Sequence, residues 1–208
     1  MIKMNYDSLC KIITSISDIM TENKDYLVSL DQQNGDGDLG ISMSSGYEAV
    51  KNYVIASEER DLGKLLMKCS SVFNEAAPSS LGTITAFGFM GMAKALKGKE
   101  EATFAECADA LDAGLNKIME KAKSKPGEKT ILDALYPAIE VLKNSDGSDK
   151  VAALKSAAEA AAEGSENTKN MKSVHGRAAY YAEKSIGTLD GGSVVGKLIF
   201  EAIYKCYC

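Results

Sequence analysis

The chain has 208 residues, 45% of them hydrophobic, and a formal net charge of −5. This length allows one large domain or, less readily, two small ones, and we expect a single domain over residues 1–208. The acidic balance excludes a general nucleic-acid binder. Five cysteines, an odd number, and a first segment without an apolar leader predict reduced thiols and a cytoplasmic location.

Helical periodicity runs through the first half of the sequence. Apolar residues at i, i+3, i+4 and i+7 predict an amphipathic helix at 9–20 and a short second helix that ends at Asp31. A third helix is predicted at 41–54. Later helix starts are marked by N-cap signals: Asp61, Ser79 or Ser80, and the T-x-x-E capping box of Thr103 and Glu106. The uncharged run 76–93 contains Pro78, so we expect a buried helix rather than a membrane span.

The second half of the sequence is helical as well. A Pro-Gly turn at 124–130 precedes a helix that starts at Thr130 and contains Pro137. Three more helices are predicted: an Ala-rich helix from Lys150, one at 178–185 and a last one at 193–204. No segment has the two-residue period of a strand. About eight or nine helices with mostly short connections predict an all-α, up-and-down bundle with antiparallel neighbours.

The stretch D-Q-Q-N-G-D-G-D-L-G-I-S-M-S-S-G at 31–46 is the most informative part of the chain. It contains three carboxylates among its glycines: Asp31, Asp36 and Asp38. Converging anionic oxygens repel one another unless a cation holds them, and hard oxygen ligands suit magnesium or calcium. A calcium EF-hand is excluded, because Leu39 and Ser45 stand where its loop needs Gly and Glu. Since a helix N-terminus follows, the stretch predicts a metal–phosphate site; a polar turn that caps this helix is the alternative.

Three other segments between helices are rich in Gly, Ser, Thr and Asp: residues 76–83, 122–131 and 185–193. Alternate loops of an up-and-down bundle lie at the same end, so these segments and the acidic stretch can converge on one ligand. Ser79 and Ser80 are alternatively simple helix caps. The guanidinium of Arg177 suits a phosphate, although a salt bridge would explain it equally well. The single histidine, His175, more often makes a local hydrogen bond than catalyses.

Four blocks together resemble the nucleotide-binding L subunit (DhaL type) of dihydroxyacetone kinases. They are L-D-Q-Q-N-G-D-G-D-L-G-I-S-M at 30–43, S-S-L-G-T at 79–83, K-P-G-E-K-T-I-L-D-A-L at 125–135 and G-R-A-A-Y-Y-A-E-K-S-I-G-T-L-D-G-G at 176–192. The resemblance covers nearly the whole chain. It implies one DhaL-like domain, an eight-helix antiparallel α-barrel that holds ADP or ATP at one end through two Mg²⁺ ions. It also implies a glycerone-kinase-type phosphotransferase subunit, which acts on a triose bound to a separate K subunit.

The resemblance also implies roles for individual residues. Its metal ligands are Asp31, Asp36 and Asp38. Its nucleotide-binding residues are Leu39, Gly40, Ile41 and Ser42 at the helix N-terminus, Ala77, Ser79, Ser80, Gly82 and Thr83 in the second loop, Ala122 and Ile131 beside the adenine or ribose, Arg177, and Asp190, Gly191 and Gly192 in the closing loop. No catalytic residue is assigned, because such a protein acts by positioning and charge neutralisation.

Two blocks depart from the family pattern. Leu39 replaces a histidine of the family's G-D-G-D-H-G, and A-A-P-S-S replaces G-A-S-G-P. Neither change removes a metal ligand, so we expect nucleotide binding, while the substrate stays open between dihydroxyacetone and a related small ketose. The phosphoryl donor also stays open, between ATP and a phosphotransferase-system phosphocarrier that rephosphorylates bound ADP. The oligomeric state is open as well, with a homodimer as one possibility. The alternative function is a non-catalytic, nucleotide-loaded regulatory module of the same fold. Neither nucleic acid nor a membrane is an expected partner.

Overall fold

The computed structural model describes residues 3–208 and is all-α within that range, as predicted. Between residues 3 and 208, nine α-helices follow one another: α1 Tyr6–Glu22, α2 Lys24–Asp31, α3 Leu39–Ala56, α4 Leu62–Ala76, α5 Ser80–Ala95, α6 Phe104–Ala122, α7 Leu132–Lys143, α8 Lys150–Asn167 and α9 Gly191–Lys205. Two 3-10 helices, Thr168–Asn170 and Arg177–Ser185, lie between α8 and α9. The β-pairing among these residues is limited to one isolated bridge, Met4 with Ala102.

Eight long helices form a closed ring. From α3 to α9 each helix packs on the next in the chain, and α1 packs on both α3 and α9. The remaining helix, α2, has only eight residues and packs on α3 and α9. An eight-helix barrel with one short extra helix is therefore the architecture, in agreement with the predicted fold class. In a ring of this kind the loops alternate between the two ends of the barrel.

Short-range sequence signals set the helix starts. The carboxylate of Asp61 accepts the N–H groups of Gly63 and Lys64 at the start of α4. Ser79 is the N-cap of α5 and accepts the N–H of Gly82 at 3.1 Å. The capping box predicted before α6 is complete. The N–H of Glu106 donates to Oγ1 of Thr103, and the N–H of Thr103 donates to the carboxylate of Glu106. These predictions are confirmed.

The helix predicted at 178–185 differs from the structure in type. Residues Arg177–Ser185 form 3-10 turns that are interrupted at Ala182, whose φ of 47° lies in the left-handed region. A non-glycine residue in that region ends the repeating helical geometry. The segment therefore crosses the end of the barrel as an irregular connection before α9 begins.

The apolar interior explains why the long helices stay together. Tyr47, Phe73 and Phe89 form a buried aromatic cluster, in which the rings of the first two meet edge to face with centroids 4.9 Å apart.

All five cysteines are free thiols. Over residues 3–208, no helix is both long and apolar enough to cross a membrane. The run 76–93 instead contributes α5, which packs between α4 and α6.

Helices α5 and α6 approach each other closely at glycines. A Cβ atom on Gly91 would collide with the carbonyl of Ala113 and lie 2.7 Å from Cα of Gly114, which are both backbone atoms. A Cβ atom on Gly88, one turn earlier in α5, would meet only the end of the flexible Ile118 side chain, at 3.2 Å. Both glycines thus lie within α5, but a Cβ atom would meet fixed backbone atoms at Gly91 and only a movable side chain at Gly88.

We expect Gly91→Ala to lower the free energy of unfolding by about 1–3 kcal/mol, because the two backbones must separate. Helix propensity alone would favour alanine by about 1 kcal/mol. The matched variant Gly88→Ala should be neutral or stabilising, because a side chain can move aside. Urea denaturation followed by circular dichroism measures both. Equal stability changes in the two variants would contradict the close helix contact.

Candidate functional site

The four polar segments converge at one end of the barrel around a cavity of about 870 Å³. Each segment contributes to its wall: the acidic stretch through residues such as Asp31 and Asp38, the second loop through Ser79 and Thr83, the third through Ala122 and Ile131, and the fourth through Asp190 and Gly192. The convergence expected from alternate loops is therefore present. A cavity of this size is in the range of small-molecule and cofactor sites.

The loop between α2 and α3 brings the three predicted carboxylates together. One ligand oxygen from each of Asp31, Asp36 and Asp38 lies within 4.8 Å of the others. The backbone N–H of Gly37 donates to Oδ2 of Asp31 at 2.8 Å and fixes its side chain. Gly37 has a φ of 79°, a conformation that strongly favours glycine. The glycine spacing seen in the sequence thus folds the loop back onto the first aspartate.

Electrostatic repulsion marks this cluster. The pKa of Asp38 is raised, first by burial and then by the neighbouring charges of Asp36 and Asp31. Arg177 opposes the shift, and its Nη2 atom lies 2.8 Å from Oδ2 of Asp36. The donor set consists of carboxylate oxygens, which suits Mg²⁺ or another hard divalent cation. The three residues therefore fit the metal that the sequence predicts.

Two helix N-termini face the same cavity. Leu39 is the first residue of α3, and Ser80 is the first residue of α5; both line the cavity. The first N–H groups of a helix have no acceptor within the helix and attract anions. In α3 the helical hydrogen bonds begin at Ser42, whose N–H donates to the carbonyl of Asp38 at 2.8 Å. An anionic ligand at this end can therefore meet backbone donors from both helices.

Asp190 lines the same cavity as the N-cap of α9. Its Oδ2 atom accepts the N–H of Ser193 at 2.6 Å. Its own N–H donates to Oγ1 of Thr168 at 3.1 Å. The pKa of Asp190 is raised to about 7, chiefly by burial, and the carboxylate of Asp133 adds to the shift. This carboxyl group is thus poised to change charge near neutral pH.

Thirteen of the predicted site residues line the cavity: Asp31, Asp36, Asp38, Leu39, Ser79, Ser80, Thr83, Ala122, Ile131, Arg177, Asp190, Gly191 and Gly192. Five others do not line it: Gly40, Ile41, Ser42, Ala77 and Gly82. Two of these five are packing glycines. A Cβ atom on Gly40 would collide with the carbonyl of Lys24, and one on Gly82 with the carbonyl of Ala77. These two glycines are therefore explained by the close approach of neighbouring backbone, which leaves no room for a side chain.

Leu39, the departure from the family histidine, is an apolar part of the wall. Its side chain is only 7% exposed. A Cβ atom on Gly191 would lie 2.5 Å from its Cδ2 atom, so the two residues are in close contact. The substitution removes a polar side chain, but it leaves the backbone N–H at the start of α3 in place.

Sequence reasoning missed the residues that organise the third segment. Asp133 is 5% exposed, and its Oδ2 atom accepts the N–H of Thr130 at 2.7 Å. Glu128 lies 2.6 Å from Nε2 of His175, and this contact is the first cause of its lowered pKa. Lys129 is buried and donates to carbonyl groups of residues 168–188. The sequence indicates these residues only through the charged stretch K-P-G-E-K-T, and from that stretch their partners elsewhere in the chain cannot be predicted.

Comparison with known proteins gives one family. The DAK2 domain matches residues 33–205. The ADP-binding subunit DhaL of PEP-dependent dihydroxyacetone kinase 1 from Listeria innocua is 32% identical over 205 residues, which is 97% of this chain and 98% of that protein. The corresponding DhaL subunit from Escherichia coli is 28% identical over 183 residues, 87% of each chain.

Longer proteins contain a similar region. The human triokinase/FMN cyclase is 31% identical over 185 residues, but the match covers 88% of this chain and only 32% of that protein. The crystal structure of the dihydroxyacetone kinase from C. freundii in complex with AMP-PNP and Mg²⁺ has a TM-score of 0.75 at 21% identity. This match covers 94% of this chain and 33% of that chain, and it shows the same fold.

The raised pKa of Asp190 predicts a pH-dependent effect of Asp190→Asn. Folding favours the protonated carboxyl group, so its contribution to stability is present at low pH and lost as the pH rises through about 7. Asparagine cannot ionise, but it keeps an oxygen that can accept the N–H of Ser193. Relative to the wild type, the variant should gain about 2–4 kcal/mol between about pH 4 and about pH 8. Urea denaturation at several pH values measures this difference, and a pH-independent difference would contradict the assignment.

Proposed function

The chain belongs to the DAK2 domain family, and from this premise we propose that it is the nucleotide-binding subunit of a dihydroxyacetone or related small-ketose kinase. The observation that carries the proposal is the convergence of three carboxylates and two helix N-termini on one cavity. In this proposal residues 1–208 form a single DhaL-like domain located in the cytoplasm. The Listeria and E. coli relatives, which match over 98% and 87% of their own length, are named ADP-binding subunits of a kinase, which supports the kinase over the regulatory module.

The carboxylates of Asp31, Asp36 and Asp38 would hold the magnesium that accompanies ADP or ATP, with two ions as the family resemblance implies. Bound Mg²⁺ supplies charge neutralisation for the phosphates during phosphoryl transfer. The chain itself contributes orientation, because its carboxylates are fixed at the end of α2 and the start of α3. The backbone N–H groups at the starts of α3 and α5 would contact phosphate oxygens. Arg177, already beside Asp36, is within reach of the same charges.

The nucleoside would lie against the apolar part of the cavity. The side chains there include Ile84, Ile118, Ala122, Ile131 and Leu132. Such a surface suits the face of an adenine ring, while polar groups at the edges fix its orientation. In this proposal the apolar residues of α5, α6 and the start of α7 would hold the base, and the acidic loop would hold the phosphates.

A second subunit is needed for the triose. The sequence has one histidine, and Nε2 of His175 is 2.6 Å from Glu128 in the wall of the cavity. The only histidine of the sequence is already paired with a carboxylate, and in this proposal the covalent triose binding stays with the K-type subunit to which the resemblance assigns it. The Listeria and E. coli relatives are named PEP-dependent, which supports retained ADP and a phosphocarrier donor over direct use of ATP.

We expect Asp38→Asn to weaken Mg²⁺-dependent ADP binding by about a hundredfold or more, because it removes a charged ligand oxygen without changing side-chain size. The matched control is Asp25→Asn, an exposed aspartate in the first turn of α2. Equilibrium dialysis with labelled ADP measures both, and circular dichroism verifies the fold. An Asp38→Asn protein that binds Mg²⁺-ADP like the control would refute the metal-ligand assignment.

Reconstitution tests the reaction itself. The purified chain, a K-type triose-binding subunit and dihydroxyacetone should give dihydroxyacetone phosphate, followed in a coupled assay, when either ATP or a phosphoenolpyruvate-driven phosphocarrier is supplied. Each subunit alone should give no product, because the triose and the phosphoryl donor are on different chains. If the chain binds nucleotide but transfers no phosphoryl group with any ketose, donor or competent partner, the regulatory module becomes the better account.

A further inference from the structure

Lys129 is an unusual residue in the wall of the cavity. It is only 4% exposed, and its backbone φ of 61° lies in the left-handed region. Its Nζ atom lies 2.8 Å from the carbonyl oxygen of Thr168, 3.2 Å from that of Met171, 2.7 Å from that of Ser185 and 2.6 Å from that of Thr188. Four backbone carbonyl groups therefore converge on one ammonium group.

These carbonyl groups come from both ends of residues 168–188, which we call the crossing segment. Thr168 and Met171 belong to its first part, whereas Ser185 and Thr188 belong to its last part. The two parts also contact each other directly, since the N–H of Gly187 donates to the carbonyl of Lys169 at 2.8 Å. Lys129 thus joins both ends of the crossing segment to the loop that precedes α7.

All four partners of the ammonium group are acceptors. An ammonium group has three N–H donors for these four oxygens, so the arrangement depends on charge as well as on directed hydrogen bonds. Rings of backbone carbonyls are also how proteins replace the hydration shell of a monovalent cation. Burial lowers the pKa of Lys129, and the carboxylate of Asp190 opposes this shift by favouring the positive charge. Lys129 therefore occupies a site with the chemistry of a small cation site.

The crossing segment carries part of the cavity wall. Ser173, His175, Gly176, Arg177 and Ala178 from this segment line the cavity. Arg177 reaches Asp36 in the loop between α2 and α3, as described above. The position of these residues depends on where the two ends of the crossing segment are held, and Lys129 contacts both ends.

We propose that the Lys129 ammonium group acts as a built-in monovalent cation, a positioning residue that holds the crossing segment over the nucleotide cavity. The effect on nucleotide rests on the function proposed above, whereas the anchoring of the crossing segment does not. Removal of the ammonium group would leave the four carbonyl oxygens without their shared cation, and those of Thr168 and Ser185 would keep only the N–H of Met171 and the hydroxyl of Thr188 as donors. A small cation that fits the vacated space would then restore the segment.

Two variants and one control test this inference. Lys129→Ala opens a space that matches n-propylammonium, the deleted part of the side chain. Lys129→Met removes the charge but fills the space. Lys125→Ala, at an exposed lysine of the same loop, is the matched control. Hydrogen exchange of peptides within 168–190, measured on the full chain without nucleotide, reports whether the crossing segment is held.

We expect both Lys129 variants to lose amide protection in the crossing segment by about tenfold to a hundredfold, the size expected for lost hydrogen bonds to a charged group. The Lys125→Ala control should behave like the wild type. Millimolar n-propylammonium should restore protection in Lys129→Ala but not in Lys129→Met, a pattern that a purely space-filling role would not give. Unchanged protection in Lys129→Met, or a loss in Lys129→Ala that n-propylammonium does not restore, would overturn the inference.

Release of Mg²⁺-ADP gives the functional readout. Lys129→Ala should release the nucleotide faster by about tenfold or more, and n-propylammonium should reverse this change. An unchanged release rate would overturn the positioning role. If the wild type bound no Mg²⁺-ADP, the proposed function would fail, whereas hydrogen exchange without nucleotide would still decide the role of Lys129.

Discussion

Three carboxylates whose ligand oxygens lie within 4.8 Å of one another repel each other, and the loop between α2 and α3 has to hold them in place. At that distance one pair of charges costs about 1 kcal/mol in water and about 3 kcal/mol at an effective dielectric constant of about 20. Arg177 offsets part of this repulsion. The end of α2, the start of α3 and the left-handed turn at Gly37 hold the loop backbone in position between them. This concentration of negative charge is the basis of the cation site that we propose.

The closed ring of eight helices determines what surrounds that loop. Because connections alternate between the two ends of the barrel, segments distant in sequence reach the same cavity. The starts of α3 and α5 bring backbone donors, and the wall between α6 and α7 brings apolar side chains. The crossing segment lies over the same end and is joined to the loop before α7 through Lys129. Charge, donors and apolar surface are thereby combined at one end of the barrel.

Much of this architecture could be predicted from the sequence, because its signals are local. The N-cap at Asp61 and the capping box at Thr103 depend on residues two or three positions apart, and the acidic stretch is contiguous. Lys129 could not be predicted, since its partners lie 39 to 59 positions further along the chain. The left-handed break at Ala182 also has no local signal, because alanine ordinarily continues a helix. Local chemistry therefore predicted the helices and the cluster of three carboxylates, while contacts between distant segments required the fold.

The central claim is that the acidic loop and the cavity form a magnesium-dependent nucleotide site. Calorimetric titration of ADP into the unmodified chain, first with Mg²⁺ and then with EDTA, tests it most directly. We expect tight binding that disappears when EDTA removes the metal, because the loop carboxylates would contact the phosphates only through a cation. Binding of equal strength in EDTA, or no binding in either buffer, would contradict it.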